Sequence, residues 1–151
     1  MQLTHIDVSG QAAMVDVSAK KVSLREAVAR GEIQLQAATL ELIESNQIAK
    51  GNVLATARIA GIMAAKRTGE LIPLCHPLPI THCEVQFEIP AGRDRIIVTA
   101  SSKIAAQTGV EMEALTAVSI AALTIYDMCK AVDKQMVIGG VRLVSKTKTD
   151  L

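Results

Sequence analysis

A long apolar stretch over residues 110–134 constrains this chain more than any other feature of its sequence. Its residues are mostly apolar with few charges, so we predict a single long helix that is largely buried. Leaving such a surface in water would cost free energy in proportion to its area, so the helix must pack against other elements. We therefore expect its apolar body to cover a sheet and to contact a neighbouring subunit.

Length and hydropathy limit the class of protein. The 151 residues suit one domain over residues 1–151. Half of the residues are hydrophobic and the mean hydropathy is +0.32, yet no uninterrupted apolar run reaches the roughly 20 residues that cross a bilayer. The excess apolar surface therefore predicts burial between copies of the chain, in a homo-oligomer.

Charge and aromatic content argue against two kinds of partner. The 16 basic residues nearly balance the 15 acidic ones, and Phe87 and Tyr126 are the only aromatic residues. We therefore expect no nucleic acid, which would need basic patches or stacking platforms, and no membrane. The N-terminal sequence lacks the pattern of a signal peptide, and three cysteines do not suggest a disulfide framework. These features predict a cytoplasmic protein.

The hydrophobic periodicity predicts an α+β fold with the order β-α-α-β-β-α-β. This order is typical of a ferredoxin-like domain, in which helices pack on one face of an antiparallel sheet. Residues 1–20 are predicted to form a surface arm, residues 73–81 a rigid proline loop, and residues 146–151 a flexible tail. The predicted elements are a strand at 24–35 with a break at Gly31, helices at 38–45 and 53–67, strands at 83–89 and 95–100, the long helix, and a strand at 136–144.

The two ends of the long helix carry candidate functional charges. Thr108 and Glu111 have the spacing of a capping box, whereas Glu113 has no such role. Asp127 and Lys130 stand at positions i and i+3 on one helix face, among apolar neighbours that predict partial burial and shifted pKa values. A helix places Glu113 and Asp127 about 21 Å apart, too far for one small ligand within a subunit.

The proline loop and the residues after it contain a second set of candidates. Cys75 and His76 lie on the stiff loop, where a histidine suits acid–base chemistry or contact with phosphate. With His82 and Cys83 they also leave open a structural zinc site, although the usual C-x-x-C spacing is absent. His82 and Cys83 would point to opposite faces of a strand, which weakens that alternative.

Lys50 precedes a predicted helix, a favourable place for an anion. The sequence has no Walker loop, no G-x-G-x-x-G and no G-x-S-x-G motif. The remaining lysines, carboxylates and histidine suit proton transfer on a small phosphorylated molecule.

Five separated segments closely resemble the molybdenum-cofactor biosynthesis protein C (MoaC) family. They are MVDVS (14–18), KGNVLATARIAG (50–61), LIPLCHP (71–77), TGVEMEALT (108–116) and ALTIYDMCKA (122–131). The resemblance implies a ferredoxin-like fold and a homohexamer built as a trimer of dimers, with active sites at subunit interfaces.

The resemblance also implies a lyase of molybdenum-cofactor biosynthesis. The implied reaction converts (8S)-3',8-cyclo-7,8-dihydroguanosine 5'-triphosphate, the product of an upstream radical enzyme, into cyclic pyranopterin monophosphate and diphosphate. It implies no required cofactor and no metal ligands, with Mg²⁺ as an optional companion of the triphosphate. Asp127 is the implied catalytic acid–base, assisted by Lys130 and Lys50. The implied substrate-binding residues are Leu74, Cys75, His76, Met112, Glu113, Glu111, Lys146 and Arg25.

The sequence departs from the family pattern at two places. Gly139 and Gly140 stand where the family usually has Gly-Pro, which is expected to loosen a turn. Gln107 stands where related chains often carry Lys, which is expected to remove a phosphate contact.

The rival function is that of a non-enzymatic ferredoxin-like oligomer that binds a phosphorylated regulator. It predicts binding without turnover and tolerance of Asp127→Asn.

Overall fold

The computed structural model describes residues 6–151, in which four antiparallel strands form one sheet with helices on one face. The strand order is β2-β3-β1-β4. The α+β class and the predicted order of elements are confirmed, with one short additional helix, α3. The elements are β1 (Ser23–Gln34), α1 (Ala37–Glu44), α2 (Val53–Lys66), α3 (Thr68–Leu71), β2 (His82–Glu88), β3 (Arg95–Ala106), α4 (Glu111–Cys129) and β4 (Val137–Asp150).

β1 is a central strand that pairs with both β3 and β4. Its side chains alternate, so that Ala27, Ala29 and Ile33 are fully buried toward the helices. Gly31 does not break the strand as predicted, but it coincides with a register shift in the pairing with β4. A Cβ atom at Gly31 would lie 2.9 Å from Cγ1 of Val118 on α4. Glycine at this position therefore allows α4 to approach the sheet closely.

α4 is the predicted long helix, and ten of its 19 residues are buried. It ends at Cys129, short of the predicted end at residue 134, because the following turn carries Asp133 inward. There the Asp133 carboxylate accepts hydrogen bonds from the backbone N–H of Gln36 (3.0 Å) and the hydroxyl of Thr39 (2.8 Å). The length and composition of α4 would also permit a membrane span, but 56% of that segment is buried, as in the core helix of a globular domain.

The start of α4 differs from the prediction. The helix begins at Glu111 with Val110 at the N-cap, and no side chain caps it. Thr108 lies in the bend that leaves β3, so the predicted capping box is wrong. Glu111 and Glu113 both occupy the first turn, where the helix dipole favours negative charge.

The predicted flexible tail at residues 146–151 is also wrong, because β4 continues to Asp150 and pairs with β1 as far as Ser23. β4 is an edge strand whose residues are mostly exposed. Its backbone pairs with β1 although its sequence lacks the alternation of apolar residues by which the other strands were predicted. The two glycines, Gly139 and Gly140, lie inside β4 rather than in a turn. Gly140 has φ +63°, a conformation that favours glycine.

The second helix and the hairpin follow the predictions. The side chain of Asn52 accepts a hydrogen bond from the backbone N–H of Ala55 (3.0 Å), so the predicted N-cap of α2 is confirmed. The small residues of α2 allow close packing on α4, since a Cβ atom at Gly61 would lie 2.9 Å from the backbone oxygen of Ala117. β3 extends past the predicted end at residue 100 to Ala106.

We predict that Gly61→Ala lowers the free energy of unfolding by about 1–2 kcal/mol, because the new methyl group meets a backbone oxygen that cannot move aside. This loss outweighs the roughly 1 kcal/mol by which alanine favours a helix over glycine. Chemical denaturation at a fixed protein concentration measures the change. The matched control is Gly92→Ala in the hairpin turn, where the nearest atom is 3.6 Å away, and a change within about 0.5 kcal/mol is expected. Equal stability of both variants would contradict this account of the packing.

Candidate functional site

A cleft of about 280 Å³ lies beside the start of α4. Its walls come from the N-terminal arm, the proline loop, β1, the first turn of α4 and the far end of β4. The eight residues that the resemblance implies for substrate binding all line this cleft. They are Arg25, Leu74, Cys75, His76, Glu111, Met112, Glu113 and Lys146.

Six further residues line the same cleft and were not among the sequence candidates. They are Val15, Val17, Lys20, Leu78, Thr108 and Gly109. The arm carried a usable signal, since Val15 and Val17 are half-buried and alternate with the exposed Met14, Asp16 and Ser18. This alternation indicates a segment that lies along a surface with one side covered.

Two cations on neighbouring strands mark the cleft as a place for anions. Arg25 of β1 is buried, and its Nη2 donates to the backbone oxygen of Gln107 (3.3 Å). Its Nε has no hydrogen-bond partner among the described residues. Lys146 of β4 pairs with Glu111, with 3.3 Å between Nζ and Oε1. A buried guanidinium with a donor to spare gains from an anionic ligand.

Glu113 is the carboxylate of the cleft best suited to proton transfer near neutral pH. Its side chain is almost completely buried, with 3% of the residue exposed. Burial raises its pKa to about 7, and the negative charge of Glu111 adds to the increase. A group that titrates near the working pH both accepts and donates protons readily.

Cys75 and His76 have different properties in the cleft. Burial raises the pKa of the Cys75 thiol, and the charges of Glu113 and Glu111 raise it further, so the thiol stays protonated at neutral pH and is a poor nucleophile. The Nε2 of His76 donates to the backbone oxygen of Val15, because a carbonyl oxygen only accepts. Only Nδ1 of His76 is then left to face a ligand.

The zinc alternative gains no support from the geometry. Over residues 6–151, no three histidine, cysteine, aspartate or glutamate side chains are grouped to hold a metal ion. His82 is exposed and lies close to Glu84 (3.8 Å), whereas Cys83 packs against the hydrophobic core.

The three implied catalytic residues form a separate cluster at the other end of α4. Asp127 binds Lys50 through Oδ2 (2.9 Å) and Lys130 through Oδ1 (3.0 Å). The hydrogen bonds from Lys50 and Lys130 lower the pKa of Asp127, and the bond from Lys50 has the larger effect.

The predicted partial burial of this pair is wrong for the single chain, because the side chains of Asp127 and Lys130 are 55% and 58% exposed. The apolar neighbours Ile125, Met128 and Cys129 lie on the opposite, buried face of the helix.

The chain thus presents two groups of candidates at opposite ends of one helix. None of Lys50, Asp127 and Lys130 lines the cleft. Because α4 is continuous between them, the helical rise puts Glu113 and Asp127 about 21 Å apart along its axis. A small ligand in the cleft therefore does not reach the charged cluster of the same chain.

Comparisons with known proteins agree over nearly the whole chain. A model of the MoaC family matches residues 14–149. The protein named cyclic pyranopterin monophosphate synthase in Desulfitobacterium hafniense is 61% identical over 148 residues, which cover 97% of this chain and 90% of that protein. Proteins of that name from Chloroflexus aggregans and Pelotomaculum thermopropionicum are 60% and 59% identical over 145 residues, which cover 96% of this chain and 88% and 85% of theirs.

We predict that Glu113→Gln changes how stability depends on pH. In the folded wild type the pKa of Glu113 is about 7, above its ordinary value of 4.5. The stability that the neutral carboxyl group contributes below pH 4.5 is therefore lost as the pH rises through 7. The glutamine variant stays neutral and should be more stable than the wild type at pH 8, by on the order of 2–3 kcal/mol. This difference should close toward pH 4.5.

Denaturation curves from pH 5 to 8, at one protein concentration, measure the difference. The control is Glu88→Gln, which removes a carboxylate whose side chain is 66% exposed. It shows how much of the change comes from losing one negative charge and how much from losing the buried carboxylate. A difference between wild type and Glu113→Gln that does not vary with pH would contradict a raised pKa.

Proposed function

The chain belongs to the MoaC family, and from this membership we propose that it is a lyase of molybdenum-cofactor biosynthesis. It converts the cyclic dihydroguanosine triphosphate made by the upstream radical enzyme into cyclic pyranopterin monophosphate and diphosphate, in the cytoplasm. The observation that carries this proposal is the convergence of all eight implied substrate-binding residues on one cleft. The names of the relatives, together with a cleft that combines cations and a buried carboxylate, support it.

The cations of the cleft bind the triphosphate. Arg25 is held rigidly on the central strand and offers a desolvated guanidinium, whereas Lys20 and Lys146 supply more mobile charges. The Lys146 side chain is 51% exposed and that of Glu111 30%, so Lys146 can exchange this carboxylate for a phosphate. These cations stabilise the charge that develops on the diphosphate as it leaves. The proposed reaction needs no resident metal, and Mg²⁺ is an optional companion of the triphosphate.

Glu113 moves protons in the same cleft. To close the cyclic phosphate, a sugar hydroxyl oxygen forms a bond to the α-phosphorus, and the bond from that phosphorus to the leaving diphosphate breaks. The hydroxyl proton passes to a base, and a carboxylate with a pKa of about 7 accepts it and returns it in a later step. The Cys75 thiol and the Nδ1 of His76 help to orient the purine-derived part of the substrate.

The second half of the active site comes from another subunit of a homohexamer built as a trimer of dimers. The charged cluster is exposed on its own chain and does not reach its own cleft. Val132 and Leu123, near the cluster in sequence, are each 52% exposed, as expected for a surface that another subunit covers. Covering the cluster would exclude water from the ion pairs that Asp127 makes with Lys50 and Lys130, and desolvation of separated charges favours proton transfer between the partners.

The direct test is incubation with the cyclic dihydroguanosine triphosphate, with diphosphate and the pterin measured as products. We expect wild-type turnover, whereas Asp127→Asn and Lys130→Ala should keep the fold and lose at least about 100-fold in rate, as for lost acid–base groups. Circular dichroism verifies the fold. Tight binding without turnover by the wild type would refute the enzyme and favour a regulatory oligomer. Wild-type rates in both variants would instead refute the assignment of Asp127 and Lys130 to the active site.

We predict that two inactive variants restore activity when they share one oligomer. Co-expressed Glu113→Gln and Asp127→Asn chains should recover about a quarter of wild-type activity, since random assembly builds one site in four from two intact halves. The matched control combines Asp127→Asn with Lys130→Ala, which damage the same half and should not restore activity. Absence of recovery in the first mixture would show that each site is built within one chain.

A further inference from the structure

Gln107 connects parts of the cleft that are distant in sequence. It lies between the end of β3 and the start of α4, and its Nε2 donates to the backbone oxygens of Ser18 (3.2 Å) and Lys20 (3.3 Å). Its own backbone oxygen accepts the hydrogen bond from Nη2 of Arg25 (3.3 Å). One residue therefore contacts both the N-terminal arm and the buried cation of β1.

The arm depends on such contacts for its position. From residue 6 to residue 22 the chain has a single isolated bridge, between Ile6 and Ala12, and no strand or helix. Asp16 organises the arm only locally, by accepting hydrogen bonds from the backbone and hydroxyl of Ser18. Within residues 6–151, side chains of the folded core make hydrogen bonds to the arm at Val15, from His76, and at Ser18 and Lys20, from Gln107.

We propose that Gln107 is a positioning residue that fixes the arm across the cleft, so that Lys20 joins Arg25 in binding a polyphosphate. The residue acts through the arm, because its side chain bonds to backbone oxygens and does not itself line the cleft. At a position where related chains often carry Lys, Gln107 thus attaches through two hydrogen bonds a segment that carries another cation, Lys20. The anion-binding part of this inference does not depend on the proposed function. The expected effect of Gln107 on KM does rest on that function.

The test compares substitutions that differ in their capacity to donate hydrogen bonds. Gln107→Met keeps the size of the side chain without charge or donor, whereas Gln107→Lys restores a donor for the two backbone oxygens. Losing both bonds should speed hydrogen exchange of the arm amides in Gln107→Met by about 10-fold, with near-normal exchange in Gln107→Lys. Gln107→Glu cannot donate either and replaces Gln107→Met in this measurement if the latter does not fold.

The functional measurements use inorganic tripolyphosphate and the cyclic nucleotide. By calorimetry, Gln107→Met should bind tripolyphosphate about 5- to 10-fold more weakly than the wild type, and its KM should rise by a similar factor with kcat within about twofold. The control Gln86→Met makes the same change on strand β2, where the exposed amide donates to Glu84 (2.7 Å), and should leave both values unchanged.

The outcomes separate this inference from the proposed function. Unchanged arm exchange in Gln107→Met would overturn the inference, as would faster exchange with unchanged affinity for tripolyphosphate. A wild type that binds tripolyphosphate but does not convert the nucleotide would refute the proposed function alone. In that case the exchange and binding results still decide the role of Gln107.

Discussion

The close packing of α4 on the inner face of β1 is the contact on which the rest of the structure depends. Small residues make it possible, since Ala27, Ala29 and Gly31 leave room for the helix, and Gly31 has no space for a Cβ atom beside Val118. Because interiors are packed as densely as organic crystals, this contact fixes the helix within narrow limits. Because this contact fixes the middle of α4, it also places the two ends of the helix, which carry Glu113 and Asp127.

The fold could be predicted from the sequence where the burial of one face gives an element a hydrophobic period. It could not be predicted where no such period arises. The central strand, the first two helices, the hairpin and the long helix all have one covered face, and their residues show it. The last part of β4 is held by backbone hydrogen bonds at an exposed edge, so its sequence of serine, lysine and threonine looked like a tail. The end of α4 depends on Asp133, whose partners Gln36 and Thr39, at the start of α1, are more than 90 residues away in sequence.

The candidate site was predictable as a set of residues, but not as an arrangement. Resemblance to a family supplied the names, and the fold shows that eight of them meet in one cleft while three lie elsewhere. Periodicity could not indicate that Glu113 is buried or that Asp127 is exposed, because burial on a helix depends on what packs against each face. The contribution of the arm was missed because a short alternation in an irregular segment gives a weak signal.

The pairing of β1 with β4 also determines when the cleft can exist in a folding chain. Arg25 and Lys146 lie on these two strands, and the sheet brings them together only by closing its longest loop, between Gln34 and Val137. Loop closure costs more entropy as the loop lengthens, and contacts that are distant in sequence form slowly. A ribosome must therefore complete nearly all of the described chain before the cationic wall of the cleft can assemble. No shorter nascent chain can bind an anion between these two residues.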